Sequence, residues 1–224
     1  MDWLHGAWAV FLKDLRLELR TRYAVNALLL FVASSLLLVV FAVGGTGVSP
    51  EVAAALLWTV IVFAAAVGLG RAFVAEEERG TVLLLRMHLR GSMVYGGKLL
   101  FNVLLVGVMN ALAAVGFVVV LGLSVAAPGL LALTLVLGAL GLAGATTLLS
   151  ALIARTSSRG PLLAVLAFPL LVPLLLSAVR VTRRALLPPL APWAASVDDL
   201  VALGAYAGAV ITASVLLFDY VWND

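Results

Sequence analysis

Cysteine is missing from all 224 residues, and charge is scarce, with Asp, Glu, Lys and Arg together making up 11%. The first absence excludes disulfides, thiolate metal sites and a cysteine nucleophile. The second, set against 64% hydrophobic residues and a mean hydropathy of +1.21, excludes a soluble globular domain, where charged residues approach a quarter. Histidine occurs only at His5 and His88, each isolated, so both read as polar surface and no metal site is expected. No Ser-His-Asp set is present, no catalytic residue is assigned, and nothing points to nucleic acid.

What is there is lipid-like. A hydrocarbon core about 30 Å thick takes about 20 apolar residues of helix. Residues 24–43 and 51–72 supply the first two spans. From Leu99 to Ala154 no Asp, Glu, Lys, Arg or His occurs, a run of roughly 80 Å as one helix, so it must fold into two spans, 99–123 and 129–154. The break falls at Ser124-Val-Ala-Ala-Pro128-Gly129. Spans at 160–180 and 199–220 complete an all-α integral membrane protein of six helices in one domain, 1–224. Ser49-Pro50-Glu51, Gly160-Pro161 and Ser196-Val-Asp198-Asp199 read as helix starts.

Lys and Arg counts orient the chain. With the N-terminus cytoplasmic, the inner side holds Lys13, Arg16, Arg20 and Arg22, then Arg71, Arg79, Arg86, Arg90 and Lys98, then Arg155 and Arg159; the outer side holds Arg180, Arg183 and Arg184. Both termini are expected in the cytoplasm. Residues 1–23 contain acids and lead straight into a span, unlike a cleaved signal peptide. They form an amphipathic interfacial elbow helix, with Leu4, Trp8, Phe11, Leu12, Leu15 and Leu19 on one stripe and Lys13, Arg16 and Arg20 on another side. Glu18 and Arg22 stand at a favourable i,i+4 spacing.

No helix core carries an acid, a base or a histidine, which argues against ion-coupled secondary transport. Ser92-Met-Val-Tyr-Gly-Gly97-Lys98-Leu99 has the outline of a phosphate loop, but Ser92 replaces the first glycine and Leu99 the Ser or Thr for magnesium, so the chain is not expected to bind ATP. An energised transporter built this way needs an external motor. The charged stretch between the second and third spans suits the contact: Glu76, Glu77 and Glu78, then Arg79-Gly80-Thr81, where one helix can end and another begin. Arg79, Arg86 and Arg90 fall within about 20° of a common line on a helical wheel. A solvated loop obeying positive-inside statistics is the plain alternative.

Several stretches together carry a family resemblance: Lys13-Asp-Leu-Arg-Leu-Glu-Leu-Arg20, the Glu76-Glu-Glu-Arg-Gly80-Thr81 loop, Leu137-Gly-Ala-Leu-Gly-Leu-Ala-Gly144, and Arg159-Gly160-Pro161 leading into Phe168-Pro-Leu-Leu-Val-Pro173. In order and spacing, over nearly the whole chain, the sequence resembles the heme exporter B permeases of the cytochrome c maturation system, which are of the ABC-2 type. The resemblance implies a multi-pass permease of the bacterial inner membrane. It implies pairing with a cytoplasmic ABC ATPase subunit (A), which holds ATP and Mg, and action with heme-handling membrane subunits (C and D) and a heme chaperone (E). Two copies of the chain could also pair. ATP would drive export of heme, the candidate substrate, or release of the loaded chaperone; no cofactor is expected on this chain. An ABC-2 permease for a lipid-linked glycan or drug, and a non-transporting scaffold of the maturation complex, are the alternatives.

Three further features belong to this reading. Pro169 and Pro173 each remove a helix donor, so the fifth span is expected to kink. Gly138, Gly141 and Gly144 allow close approach of a neighbouring helix. Outside, Arg180, Arg183 and Arg184 form a candidate anion site for carboxylates, including heme propionates, or for lipid phosphate.

Overall fold

In hydrocarbon every backbone N–H and C=O must be bonded within its own segment, and helices meet that demand locally. The computed structural model of the chain describes residues 3–44, 47–69, 87, 89–153, 159–187 and 192–223, with the backbone alone at 67–69, 151–153, 159–168 and 219–223. Among the described residues there are seven helices and no strand: α1 (Trp3–Thr21), α2 (Tyr23–Val43), α3 (Pro50–Leu69), α4 (Gly91–Val120), α5 (Pro128–Ile153), α6 (Arg159–Leu186) and α7 (Pro192–Asn223). Four of them, α2, α4, α5 and α7, are long and apolar enough to cross a membrane, and α3 adds a shorter apolar stretch, Pro50–Ala66.

Local chemistry sets several boundaries. Ser49 Oγ accepts from Val52 N–H at 3.4 Å and Ser49 O from Ala53 N–H at 2.9 Å, with Pro50 opening α3 where its missing donor costs nothing. Gly44 closes α2 in the left-handed region at φ 57°, its N–H bonded to Val40 O. The α4–α5 turn occupies 121–127, over the expected break, and Ala126 and Ala127 both donate to Ala185 O, fastening it to α6.

Three starts or ends differ from the expected ones. α4 begins at Gly91 rather than near 99, because Lys98, counted as a water-facing charge, is neutralised inside the protein by Asp14 and the helix runs through it. α6 continues beyond 180 to Leu186, so the three outer arginines are helical. α7 starts at Pro192, which leaves Ser196 buried within the helix instead of capping it. The Glu18–Arg22 helical pair does not form. α1 ends at Thr21, Arg22 lies in the left-handed region at φ 52°, and Glu18 Oε1 accepts from Val25 N–H at 2.8 Å, capping α2 instead.

The bundle is built around α5, which is mostly buried where α2 buries only Leu28, Val32 and Leu36, and α5 touches α3, α4, α6 and α7. Its glycines serve three different neighbours. Gly138 faces the ring of Trp58 on α3, Gly141 faces Leu174 on α6 and Tyr206 on α7, and Gly144 faces Ile211 on α7. A Cβ at Gly138 would run into the Trp58 ring, which is fully buried and held by its Nε1–H donating to Thr182 Oγ1 of α6 at 2.8 Å. Side-chain amides tie α4 to α5: Asn102 Nδ2 donates to Thr147 Oγ1 at 2.7 Å and Asn110 Nδ2 to Leu135 O at 3.1 Å. Such bonds matter among apolar helices, since lipid competes for apolar contact but not for these.

The Gly138 contact is testable. Gly138→Ala should destabilise the detergent-purified chain by about 1–3 kcal/mol through overpacking. Gly107→Ala, where an added Cβ meets nothing within 4 Å, should leave the thermal midpoint unchanged or slightly raised. Equal midpoints for the two variants would contradict the packing.

Candidate functional site

At one end of the bundle α1 lies against the first turns of α4. The docking face is neither the apolar stripe nor the basic side of the elbow but a third one, Gly6, Ala7, Val10 and Asp14, all buried at helical spacing. Leu4, Trp8 and Leu19 of the apolar stripe stay exposed, as an interfacial helix requires. On α4, Gly97 accepts the closest approach: a Cβ there would lie 2.5 Å from Ala7 O and 2.6 Å from Val10 Cβ. Gly96 sits under the Trp3 ring, and Trp3 Nε1 donates to Ser92 Oγ at 3.2 Å. The glycines that gave this stretch the outline of a phosphate loop are packing positions inside a helix.

The junction is closed by charge. Asp14 lies between Lys98 Nζ, 3.2 Å from one carboxylate oxygen, and Lys13 Nζ, 3.1 Å from the other. Lys98 is 2% exposed and Asp14 8%, so the pair is taken out of water, and loss of Asp14 would take a carboxylate away from a buried ammonium. Of the elbow residues marked in the sequence, Lys13 therefore reaches the junction, Glu18 caps α2, and Arg16 and Arg20 remain exposed. Asp14 was missed. Its signal was an acid at a helical step from Gly6, Ala7 and Val10, on a face of small side chains.

The expected coupling residues Glu76, Glu77, Glu78, Arg79, Gly80, Thr81 and Arg86 lie outside the described residues. Arg90 is exposed and immediately precedes α4. α4 then begins at Gly91, directly under α1.

Pro169 and Pro173 both lie inside α6 and face outward. Pro173 brings no N–H to the Pro169 carbonyl one turn back. On the inward side of that turn, Tyr206 O–H of α7 donates to Leu170 O at 2.8 Å, bracing α6 where its own ladder is interrupted.

At the other end, Arg184 Nη1 is 2.7 Å from Asp199 Oδ2 and Arg180 Nη1 is 3.5 Å from Asp199 Oδ1. Arg183 joins them on the wall of an open pocket of about 380 Å³, with Val179 and Glu51. The structure thus brings the three arginines together but gives two of them an internal carboxylate. Among the described residues no group of three His, Asp or Glu side chains is placed to hold a metal ion.

The sequence model of the family described as "CcmB protein" matches residues 5–218. The chain belongs to the CcmB family. It is also similar to the heme exporter protein B of Bradyrhizobium diazoefficiens, 31% identical over 185 residues, which cover 81% of this chain and 83% of that protein. The CcmB match spans the elbow, the charged stretch, the α5 glycines, the α6 prolines and the arginine end together.

The Asp14–Lys98 junction gives a second test. Asp14→Ala should cost about 3–5 kcal/mol and lower the yield of folded chain, because the Lys98 ammonium loses a buried carboxylate. Asp14→Ala with Lys98→Met should recover a large part of that loss. A double variant as unstable as the single would show that the pair is incidental.

Proposed function

We propose that this chain is the permease subunit of an ATP-driven complex that exports heme, or releases a heme-loaded chaperone, for c-type cytochrome biogenesis. The observation that carries this reading is the family match over residues 5–218, supported by the similarity to a heme exporter protein B. In this reading the chain crosses a bacterial inner membrane six times, with α3 and α6 joining the four helices that are long and apolar enough by themselves. Both termini are cytoplasmic, which fits the Lys and Arg counts.

The chain has no phosphate-binding loop of its own, so ATP and Mg belong to a separate cytoplasmic subunit. The heme-handling subunits C and D and the chaperone E complete the assembly, and heme is substrate rather than resident cofactor. The stretch from Glu76 to Arg90 is the contact for the motor. Its support is position: it leads directly into the first turn of α4, which the buried Asp14–Lys98 pair and the Gly97 contact make one body with α1. Force delivered there would reach a thirty-residue helix that packs along α5 through Asn102 and Asn110. The interrupted turn at Pro169 and Pro173, braced by Tyr206, is where α6 can bend in response.

The test is charge reversal. Arg86→Glu with Arg90→Glu should lower co-purification of the ATPase subunit by about tenfold, the scale of opposing charge at a docking surface, and abolish cytochrome c maturation, with normal amounts of chain in the membrane. The purified chain alone should hydrolyse no ATP. Wild-type recovery of the ATPase together with normal c-type cytochromes would remove the coupling role and leave a positive-inside anchor.

A further inference from the structure

The pocket between the last turns of α6 and the first turn of α3 is not used by the mechanism above. Arg180, Arg183, Arg184, Glu51 and Val179 line it. Arg184 is committed to Asp199 at 2.7 Å, with its side chain 24% exposed, so it forms a fixed floor. Arg180 reaches the same carboxylate at only 3.5 Å and keeps its side chain 58% exposed. Arg183 has no carboxylate partner among the described residues. Two guanidinium groups are therefore available to an oxyanion, and Glu51 supplies an acceptor for a cationic or hydroxyl group attached to it.

The surroundings indicate an amphiphile rather than a free anion. On the α6 wheel Val172, Leu176, Val179, Arg180 and Arg183 fall within about 100° of one another, so an exposed apolar track runs along the helix into the pocket. Val172 and Leu176 are 44% and 53% exposed. At the same end Trp193, half exposed, lies over Gly129 at the start of α5, marking the depth of lipid headgroups. We propose that the pocket binds one phospholipid with a primary-ammonium headgroup, of the phosphatidylethanolamine type. Arg180 and Arg183 hold its phosphate by charge-assisted hydrogen bonds, Glu51 accepts from its ammonium, and one acyl chain follows Val172 and Leu176. Only the name of the leaflet, the outer one, rests on the proposed topology.

The test is lipid retention by the full-length chain, delipidated in detergent and titrated with phosphatidylethanolamine or phosphatidylcholine, with bound lipid counted by native mass spectrometry. Wild type should retain phosphatidylethanolamine roughly tenfold better than phosphatidylcholine, whose methylated headgroup has no N–H to offer Glu51. Arg183→Gln should weaken both lipids, and Arg183→Lys should keep much of the binding. Glu51→Gln should equalise the two lipids without abolishing either. Arg183 carries no ion pair to a described residue, so its loss is not expected to disturb the fold. Unchanged retention in Arg183→Gln, an undiminished preference in Glu51→Gln, or displacement of the lipid by millimolar inorganic phosphate would overturn the assignment. The readout needs neither ATPase nor heme, so it can fail while the permease reading stands, and the reverse.

Discussion

Helices in a lipid solvent gain little by exchanging an apolar neighbour for another, so contact has to come from close fit and from bonds that lipid cannot make. The whole bundle depends on α5 meeting that constraint. Its three glycines admit a tryptophan from α3, a leucine and a tyrosine from α6 and α7, and the flank of α7 itself, while two asparagines of α4 bond to its side chain and backbone. The indole N–H of Trp58 then passes across to Thr182, so α3, α5 and α6 are locked at one point. The outer helices need less of this. α2 keeps most of its surface for lipid, in line with its length and near-uniform hydropathy.

A different interaction governs the end where the chain begins. The Asp14–Lys98 contact is buried, and a buried ion pair is weak support for stability but a strong constraint on register. Asp14 of α1 lies opposite Lys98, and Gly97 beside it admits the close approach of Ala7 and Val10. Such a joint fixes the two helices against each other, since α1 and α4 cannot slide past each other without separating the charges.

Much of the architecture was legible in hydropathy. The ends of α2, the start of α3 and the α4–α5 turn fall where run length, Ser-Pro-Glu and Pro-Gly place them, because each is decided by a local rule. The early start of α4 was not, since a lysine reads as a boundary unless its counter-charge is known, and Asp14 is 84 residues away in sequence. For the same reason Asp199 reads in the sequence as a helix-start signal, whereas it is the partner of Arg184 and Arg180. The glycines of the false phosphate loop belong here too: a glycine needed for close approach and one needed for phosphate look alike until the facing helix is known. The prolines and arginines were found as residues, but their partners, Tyr206 and Asp199, lie on another helix and left no local trace.

At about 1.5 Å per residue the thirty residues of α4 measure roughly 45 Å, some 15 Å more than a hydrocarbon core. The surplus is the segment that carries α1. An ordinary interfacial helix floats at whatever depth its amphipathic balance selects and shifts as the bilayer thickens or thins. Here the depth is a property of the protein, a rung fixed on a pole longer than the membrane is thick. With α1 at the interface, as proposed, bilayers of different thickness deform to meet it, and hydrophobic mismatch at this end is borne by the lipid and not by the joint.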